Sequence, residues 1–282
     1  MKKIKLLLCL FMLTTLCGCS NSNKNESSKT LNAAMFWIST SLDPTNNYDG
    51  WVLSRIGVGE TLLKLNEKYE VEPYLAKSYE QIDDTTWKLT LKDSITFSNG
   101  KKVTGENVKS CLERAFEKNT RAIDYFDLNH VEAKGQDIYL YLNKSSGAIL
   151  NNLCEPLFTI YDASQSEEDI ASHPICTGPF VVDDFVSEKT IDTSKNKKYY
   201  DGKAKLDHVH FSQVADSDAR VLALQSGEVD LANTIDYSSL KLFRNNKDYQ
   251  VLEVLGPRTN VIYMNNETTF LIDLTIRKAL SY

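Results

Sequence analysis

The chain contains 282 residues, of which 42% are hydrophobic, 25% charged and 10% aromatic. These values exclude a disordered, collagenous or membrane-spanning protein and leave room for one large or two medium domains of about 100–200 residues each. With 32 basic and 38 acidic residues the formal net charge is −6, which excludes a nucleic-acid binder because phosphate neutralisation requires a basic surface.

Residues 1–18 have the layout of a lipoprotein signal peptide. Three lysines precede an apolar run at residues 6–13, and that run is shorter than the roughly 20 residues that a permanent membrane-spanning helix needs. Leu16, Cys17, Gly18 and Cys19 follow and resemble the bacterial lipobox, in which the last cysteine is acylated and becomes the first residue of the mature protein. We expect lipidation, including palmitate, at Cys19; an ordinary signal peptide that happens to contain this cysteine is the alternative.

Residues 19–30 are predicted to be a flexible tether between the lipid and the folded protein. Residues 20–29 contain no apolar side chain, a composition typical of flexible linkers. Lipid chains stabilise such an anchor by about 0.8 kcal/mol per buried CH₂ group, so no helix needs to cross the membrane. Removal of residues 1–18 takes away three lysines and no acid, which leaves 29 basic and 38 acidic residues and a net charge of −9.

Three cysteines remain in the predicted folded part, at Cys111, Cys154 and Cys176. An odd number in an exported protein excludes a scaffold held together by disulfides and leaves at least one free thiol. A single bridge between Cys154 and Cys176 and three buried thiols are the alternatives, and the sequence favours the thiols.

The first half of the folded part contains two predicted strands and one long helix. Residues 31–38 are predicted to form an entering strand, and residues 87–92 alternate apolar and polar side chains with the period of a half-buried strand. Thr104 is a predicted helix cap, with Glu106 in the first turn where the helix dipole favours an acid. The apolar positions that follow have helical spacing and predict one buried face: Val108, Cys111, Leu112, Ala115 and Phe116.

The second half alternates strands and helices without a regular βαβ rhythm. Strands are predicted at residues 137–142, 176–182, 191–193, 228–232 and 260–265. A helix is predicted to begin near Asp216 or Ser217 and to end at Gly227, with Ala219, Leu222 and Ala223 on its inner face. A last helix is predicted from Leu274 onward. This order predicts a mixed α/β (α+β) fold.

Long motifs in both halves carry a resemblance to one family. They lie at residues 59–63, 73–79, 83–92, 95–100, 107–108, 177–180, 199–203, 206–209, 220–230, 265 and 277–282. In this order they resemble the bacterial extracellular solute-binding proteins of family 5, which serve oligopeptide, dipeptide and nickel ABC importers. The resemblance implies a periplasmic-binding-protein-like type II fold of the large, peptide-binding subclass, in which two lobes close around a solute.

The resemblance also implies a division into domains. A split first lobe is expected at residues 31–50 and 172–265, an inserted subdomain at 51–171, and the start of a second lobe at 266–282. Because family members continue through a second lobe, we expect this chain to be an N-terminal fragment with that lobe largely missing. Family ligands lie between the lobes, so the chain alone is expected to bind solute weakly or not at all.

The function implied by the resemblance is capture of extracellular oligopeptides or dipeptides for import, by a lipid-anchored protein on the extracytoplasmic face of the cell membrane (the periplasmic side in a Gram-negative cell). A nickel or metallophore chelate is the alternative solute. An exported hydrolase is disfavoured because motifs of serine esterases, zinc peptidases and phosphate-binding loops are absent from the sequence. The expected partners are an ABC permease and its ATPase; a monomer without cofactor, catalytic residue or metal site is predicted.

Four residues are candidates for solute contact. Asn47, Tyr48 and Trp51 follow the Leu-Asp-Pro turn, from which the family takes part of its first-lobe wall, and their aromatic and amide groups suit a peptide-like ligand. Trp51 as a cover on the subdomain core is an equal alternative. Arg121 matches a position where the nickel branch has an arginine for chelator carboxylates; a surface arginine is the alternative. Glu155 stands where that branch has a further arginine, which weakens the nickel interpretation.

Two histidines on one strand face are possible metal ligands. His208 and His210 are spaced to share a face, but the sequence offers no third ligand at a suitable spacing. A solvated strand face is therefore the favoured interpretation.

Overall fold

The computed structural model describes residues 28–254, 256 and 261–281. The predicted signal peptide, Cys19 and most of the predicted tether lie outside the described residues. The first described strand already begins at Thr30, so the tether that was expected to include residue 30 overlaps this strand by one residue. The chain divides into two compact units between Asp236 and Tyr237.

Eleven strands and six α-helices are described in the first unit. The strands are β1 (Thr30–Met35), β2 (Leu63–Leu65), β3 (Val71–Pro73), β4 (Ala76–Gln81), β5 (Thr86–Leu91), β6 (Leu128–Lys134), β7 (Asp137–Leu142), β8 (Phe180–Val186), β9 (Thr190–Lys195), β10 (His208–Gln213) and β11 (Leu231–Ala232). The helices are α1 (Gly50–Arg55), α2 (Gly105–Lys118), α3 (Ala122–Tyr125), α4 (Ile149–Asn152), α5 (Glu167–Ser172) and α6 (Ser217–Ser226), with a 3₁₀ turn at Pro156–Phe158.

A five-stranded mixed sheet joins the two ends of the first unit. Its strand order is β11-β1-β10-β9-β8, with β1 parallel to both β10 and β11 and with β9 antiparallel to its two neighbours. The strand that begins at Thr30 therefore pairs only with strands that lie beyond residue 200. This pairing across a long intervening segment is compatible with a split lobe around residues 51–171, whose boundaries stay a prediction.

The intervening segment contains a four-stranded antiparallel sheet in the order β4-β5-β7-β6. The predicted strands at 87–92 and 137–142 are confirmed as its central strands, β5 and β7. The edge strands β4 and β6 were not predicted, because most of their residues are exposed and they lack a clear apolar alternation. Helix α2 packs across β6 and β7.

The predicted α2 is confirmed together with its cap and its buried face. Thr104 and Asn107 form a reciprocal capping box at its start. Four of the five predicted apolar positions are buried: Val108, Cys111, Leu112 and Ala115. Phe116 is half-buried, and its ring lies 5.1 Å from the ring of Phe126.

Helix α6 has the predicted ends but a different inner face. Asp216 caps it, and Gly227 ends it in the left-handed conformation that favours glycine, at φ 76°. The prediction that Leu222 points inward is wrong, since this side chain is 65% exposed. The guanidinium of buried Arg220 donates to the carbonyl oxygens of Val214, Ala215, Asn233 and Thr234. Because Arg220 faces the protein, Leu222 lies about 200° away on the helix and faces outward.

All three described cysteines are free thiols. Cys111 and Cys176 are buried and Cys154 is half-buried. The structure therefore agrees with three thiols and not with a Cys154–Cys176 disulfide. No described helix combines the length and the apolar character required to cross a membrane.

The second unit contains a 3₁₀ segment at Tyr237–Leu242 and helix α7 at Leu274–Ala279. The predicted last helix is thus confirmed, with Asp273 as its cap. The strand predicted at 260–265 is wrong for residues 261–265, which form no regular secondary structure, and Asn260 lies outside the described residues.

Candidate functional site

The four candidate residues lie in one cluster at the surface of the first unit. Asn47 and Tyr48 belong to a loop, residues 43–49, that leads into α1, where Trp51 lies. Arg121 immediately precedes α3 and reaches the same loop. We call these four residues, together with Tyr125 and Glu155, the wall cluster.

The loop 43–49 is fixed at its first end by an arginine from α2. Arg114 donates from Nη1 and Nη2 to the two carboxylate oxygens of Asp43, at 2.8 and 2.6 Å. Both side chains are less than 15% exposed. Nη1 of Arg114 also contacts the hydroxyl groups of Thr45 and Tyr161. A bidentate ion pair that is largely shielded from solvent therefore sets the position of the loop.

The middle of the loop is held by hydrogen bonds to its backbone. Asn47 has φ 44°, the left-handed region that asparagine tolerates better than most residues. Its carbonyl oxygen accepts from Nη1 of Arg121 at 2.8 Å and from Nδ2 of Asn119 at 3.1 Å. Asn119 bridges further to the carbonyl oxygen of Thr45. These donors fix the loop in the conformation that directs Tyr48 towards Arg121.

Arg121 is the centre of the wall cluster. Its guanidinium carbon lies 3.7 Å from the ring centroid of Tyr48, within the range of a cation–π contact. Nη2 donates to the hydroxyl oxygen of Tyr125 at 2.7 Å and lies 3.9 Å from Oε1 of Glu155. Glu155 is a carboxylate of the protein itself, and the Arg121 side chain is still 27% exposed. The expectation that Arg121 binds a solute carboxylate therefore stays a prediction.

Glu155 connects Arg121 to Trp51. The indole Nε1 of Trp51 donates to Oε1 of Glu155 at 2.9 Å. The Glu155 side chain is only 15% exposed, whereas Trp51 is 38% and Tyr48 55% exposed. The polar groups of the cluster are therefore largely sequestered, and the two aromatic rings present its accessible surface.

Helix α1 can approach the Glu155 segment because Gly50 has no side chain. A Cβ atom on Gly50 would lie 2.3 Å from the carbonyl oxygen of Pro156. This close approach, directly after Glu155 in the chain, brings Trp51 within reach of the carboxylate. We infer that glycine is required at this position for the cluster to assemble.

The pKa values of the two acids of the loop are shifted in opposite directions. Burial by itself would raise the pKa of Asp43, but the hydrogen bonds from Arg114 and Thr45 outweigh it and hold the pKa below its ordinary value. Burial raises the pKa of Asp49 to about 6, opposed only by a hydrogen bond from Asn46 and assisted by the charge of Asp43.

Tyr125 remains a neutral hydroxyl group beside the ion pair. Burial, followed by the nearby negative charge of Glu155, raises the pKa of Tyr125 to about 12. Its hydroxyl therefore stays protonated at physiological pH and accepts from Arg121 without adding charge to the cluster.

A cavity of about 340 Å³ opens beside Trp51. Its lining includes Trp51, Ser54, Lys64, Tyr74, Cys154 and Thr159 together with Glu60. Glu60 is 2% exposed and accepts hydrogen bonds from Thr177 Oγ1 at 2.7 Å and from the hydroxyl of Tyr199 at 2.9 Å. Burial raises the pKa of the Cys154 thiol to about 11, so this group is uncharged at neutral pH. The cavity and the wall cluster share Trp51.

The two histidines that share a strand face have different surroundings. His210 Nδ1 lies 2.6 Å from Oδ1 of Asp192, and His208 is exposed at the start of β10. Within the part of the chain that the structure describes, no group of three histidine, cysteine, aspartate or glutamate side chains is arranged to hold a metal ion.

Sequence reasoning missed the residues that support the wall cluster. Arg114, Asn119 and Tyr125 contact the loop or Arg121, yet they are spaced along a helix and its exit and carry no motif of their own. Glu155 was noticed only as a departure from a family pattern. Its contact with Trp51 joins residues 104 positions apart, a relation that no local signal records.

Comparisons with known proteins agree with this architecture. The chain is 33% identical over 267 residues to the nickel-binding protein NikA of Staphylococcus aureus. The aligned region covers 95% of this chain and 53% of that protein. It is 27% identical over 231 residues to the glutathione-binding protein GsiB of Escherichia coli, covering 78% of this chain and 45% of GsiB. These relatives are named as binding proteins and not as enzymes, as the sequence analysis predicted.

Solved structures show the same fold. The structure of S. aureus NikA in complex with Ni(L-His)₂ matches with a TM-score of 0.74 and 33% identity over 78% of this chain and 46% of that chain. A nickel ABC transporter protein from Bacillus halodurans matches with a TM-score of 0.74 and 27% identity, over 90% and 53% of the two chains. The prediction of a type II binding-protein fold is confirmed.

The chain spans about half the length of the curated relatives it matches. A sequence profile described as "Bacterial extracellular solute-binding proteins, family 5 Middle" matches residues 70–282, about three quarters of the chain. The chain therefore belongs to family 5 of the bacterial extracellular solute-binding proteins.

Proposed function

We propose that this protein captures a small extracellular solute for an ABC importer and that the wall cluster contributes one surface of its binding site. The observation that carries the proposal is the meeting of Asn47, Tyr48, Trp51 and Arg121 beside an open cavity. Exposed aromatic rings held by sequestered polar groups, next to a cavity, are typical of small-molecule sites.

Two solute classes are supported by relatives of this chain. The relative S. aureus NikA was solved in complex with Ni(L-His)₂. The relative GsiB is named for glutathione, a small peptide. The sequence favoured a peptide, but the similarity to NikA is higher and covers more of this chain than the similarity to GsiB. We therefore propose a nickel–amino acid complex as the first solute class and a short peptide as the second.

Isothermal titration calorimetry on the purified chain tests the proposal. Nickel chloride mixed with two equivalents of L-histidine, reduced glutathione and a defined tetrapeptide are titrated separately. The sequence leaves both weak binding and no binding open for this chain. Because the wall cluster is already assembled in it, we expect saturable binding of one solute at one-to-one stoichiometry, with a Kd weaker than that of a closed two-lobed site, roughly millimolar to high micromolar. Glu80→Gln serves as a control because this exposed acid lies on the edge strand β4.

The double variant Tyr48→Ala/Trp51→Ala is expected to weaken the binding of that solute about tenfold or more, because aromatic contacts supply much of the area in such sites. Lack of saturable binding by all three solutes, or unchanged affinity in the double variant, would contradict the assignment. The circular dichroism spectrum of each variant shows whether the fold is retained.

We further propose that the protein is anchored to the extracytoplasmic face of the membrane through a lipid on Cys19 and acts there as a monomer with a permease and an ATPase. The signal-peptide pattern of residues 1–19 supports this proposal. Metabolic labelling with an alkyne analogue of palmitate is expected to mark the wild type and not Cys19→Ser. Equal labelling of both proteins would refute the anchor.

A further inference from the structure

We propose that Glu155 determines the solute specificity of the wall cluster: it closes Arg121 to solute carboxylates, so the wall takes an uncharged planar group, such as a peptide amide, an imidazole or another aromatic ring, against Tyr48 and Trp51. This inference deepens the proposed function and rests on it for the identity of the site. Arg121 then acts as a positioning residue, and Glu155 acts through it and through Trp51.

The contacts of Arg121 place competing groups at both edges of its guanidinium that could bind a carboxylate bidentately. An arginine binds a carboxylate in this way through either Nε and Nη2 or Nη1 and Nη2, and both edges include Nη2. Nη2 already donates to Tyr125 and faces Glu155 at 3.9 Å. Nη1 donates to the carbonyl oxygen of Asn47, and Tyr48 covers one face.

The charge of Glu155 adds a second obstacle to an incoming carboxylate. Its Oε1 is the atom nearest to Arg121 and also accepts from the indole of Trp51. A solute carboxylate that approached Arg121 would meet this like charge in a position where both side chains are less than one third exposed, so solvent screens the repulsion only partly.

The same contact orients the group that remains accessible. Because its Nε1 is bound to Glu155, the indole of Trp51 is held in one orientation with 38% of the side chain exposed. The ring of Tyr48 is held likewise by Arg121 and is 55% exposed. Two rings fixed in advance favour a flat, uncharged solute group, since little side-chain entropy is lost on contact.

Nuclear magnetic resonance of the Trp51 indole N–H group tests this inference directly. The chain has three tryptophans, and Trp51→Phe identifies the signal. Acetate is the carboxylate probe, acetamide its uncharged match, and N-acetyltyrosinamide the planar uncharged probe. In the wild type we expect N-acetyltyrosinamide to shift the Trp51 signal saturably and acetate to give no saturable shift.

Glu155→Gln keeps the size of the side chain and removes its charge. In this variant we expect acetate, and not acetamide, to shift the Trp51 signal saturably. The Kd for acetate should be at least about tenfold below the lowest Kd that the wild-type titration allows. Glu80→Gln removes one acid from an exposed strand instead and is expected to behave as the wild type does.

Three outcomes would overturn the inference: saturable acetate binding at the wild-type wall, no gain of acetate binding in Glu155→Gln, or no response to N-acetyltyrosinamide. The spectrum of each variant reports folding in the same experiment. The protein could bind none of the three solutes by calorimetry and still give the expected response of the Trp51 signal to the probes. That result would refute the proposed function but not the role of Glu155 in excluding carboxylates.

Discussion

The two ends of the loop 43–49 hold the same kind of residue in opposite electrostatic states. Asp43 receives a bidentate ion pair from Arg114, and its pKa is lowered in spite of burial. Asp49, 2% exposed, accepts from the amide of Asn46 at 2.7 Å, and its pKa is raised to about 6. For Asp49 no ion pair is found among the described residues. The charge of the partner, more than depth, therefore decides the protonation state of these two acids.

Removal of Arg114 is expected to have the largest effect on this comparison. Arg114→Met leaves the carboxylate of Asp43 buried without a cation, and unfolding free energy should fall by about 3–5 kcal/mol, as measured by urea denaturation.

A double-mutant cycle separates the pair from its surroundings. Asp43→Asn combined with Arg114→Met is expected to lose less than the sum of the two single variants, because no unpaired charge remains. Additive losses, or a loss below about 1 kcal/mol in Arg114→Met, would mean that the two ends of the loop do not differ as described.

The second prediction concerns the pH dependence set by Asp49. Its pKa in the folded protein is about 6, above the ordinary 3.8. At a pH between these two values, Asp49 is therefore protonated in the folded protein and ionised in the unfolded chain. Stability from this group is therefore fully present below about pH 4 and is lost as pH rises towards 7. At roughly 1.4 kcal/mol per pKa unit, the loss is about 3 kcal/mol.

Asp49→Asn should remove this slope, as measured by urea denaturation at pH 4, 5.5 and 7. Asp43→Asn is the matched variant, because the pKa of Asp43 is shifted in the opposite direction to that of Asp49. Because the pKa of Asp43 is lowered, its carboxylate stabilises the folded protein at any pH above the ordinary pKa. This stability is lost only as pH falls below about 4. If Asp49→Asn retained the wild-type slope between pH 4 and 7, the contrast between the two acids would be disproved.

The smallest expected effect is at the middle of the loop. Arg121→Gln removes the hydrogen bond to the carbonyl oxygen of Asn47 and the contact with Tyr48, while Asn119 still holds that carbonyl oxygen. We expect a loss of about 1 kcal/mol in unfolding free energy, well below that of Arg114→Met. Equal losses at the two arginines would show that partial exposure of Arg121 does not weaken its role.

The sequence predicted best where local pattern and tertiary packing agree. In α2 the cap at Thr104 and the apolar face from Val108 to Ala115 both appear as expected, because helix periodicity and burial on a sheet point to the same side chains. In α6 the pattern failed at Leu222, because Arg220 occupies the inner face and donates to the carbonyl oxygens of Val214 and Ala215, just before the helix. An arginine that replaces an apolar residue on an inner face leaves no signal in hydrophobicity.

The candidate site shows the same division. Tyr48, Trp51 and Arg121 were found through a resemblance, and their residue types suggested stacking and charge. Their contacts depended on Glu155 and Arg114, which come from distant parts of the chain. Side-chain chemistry therefore indicated candidates, but the pairing of charges could not be read from spacing.

From the amino-acid sequence one can predict the family, the main helices and central strands, and the set of aromatic and basic residues available for a binding surface. These follow from periodicity, capping and long motifs, all of which are local or linear properties of the chain. Only the tertiary structure decided that Arg121 faces Glu155, that Asp43 is paired and that Asp49 is not. Such relations depend on distances between residues far apart in sequence, and the energy of a charge depends on which partner lies within a few ångströms of it.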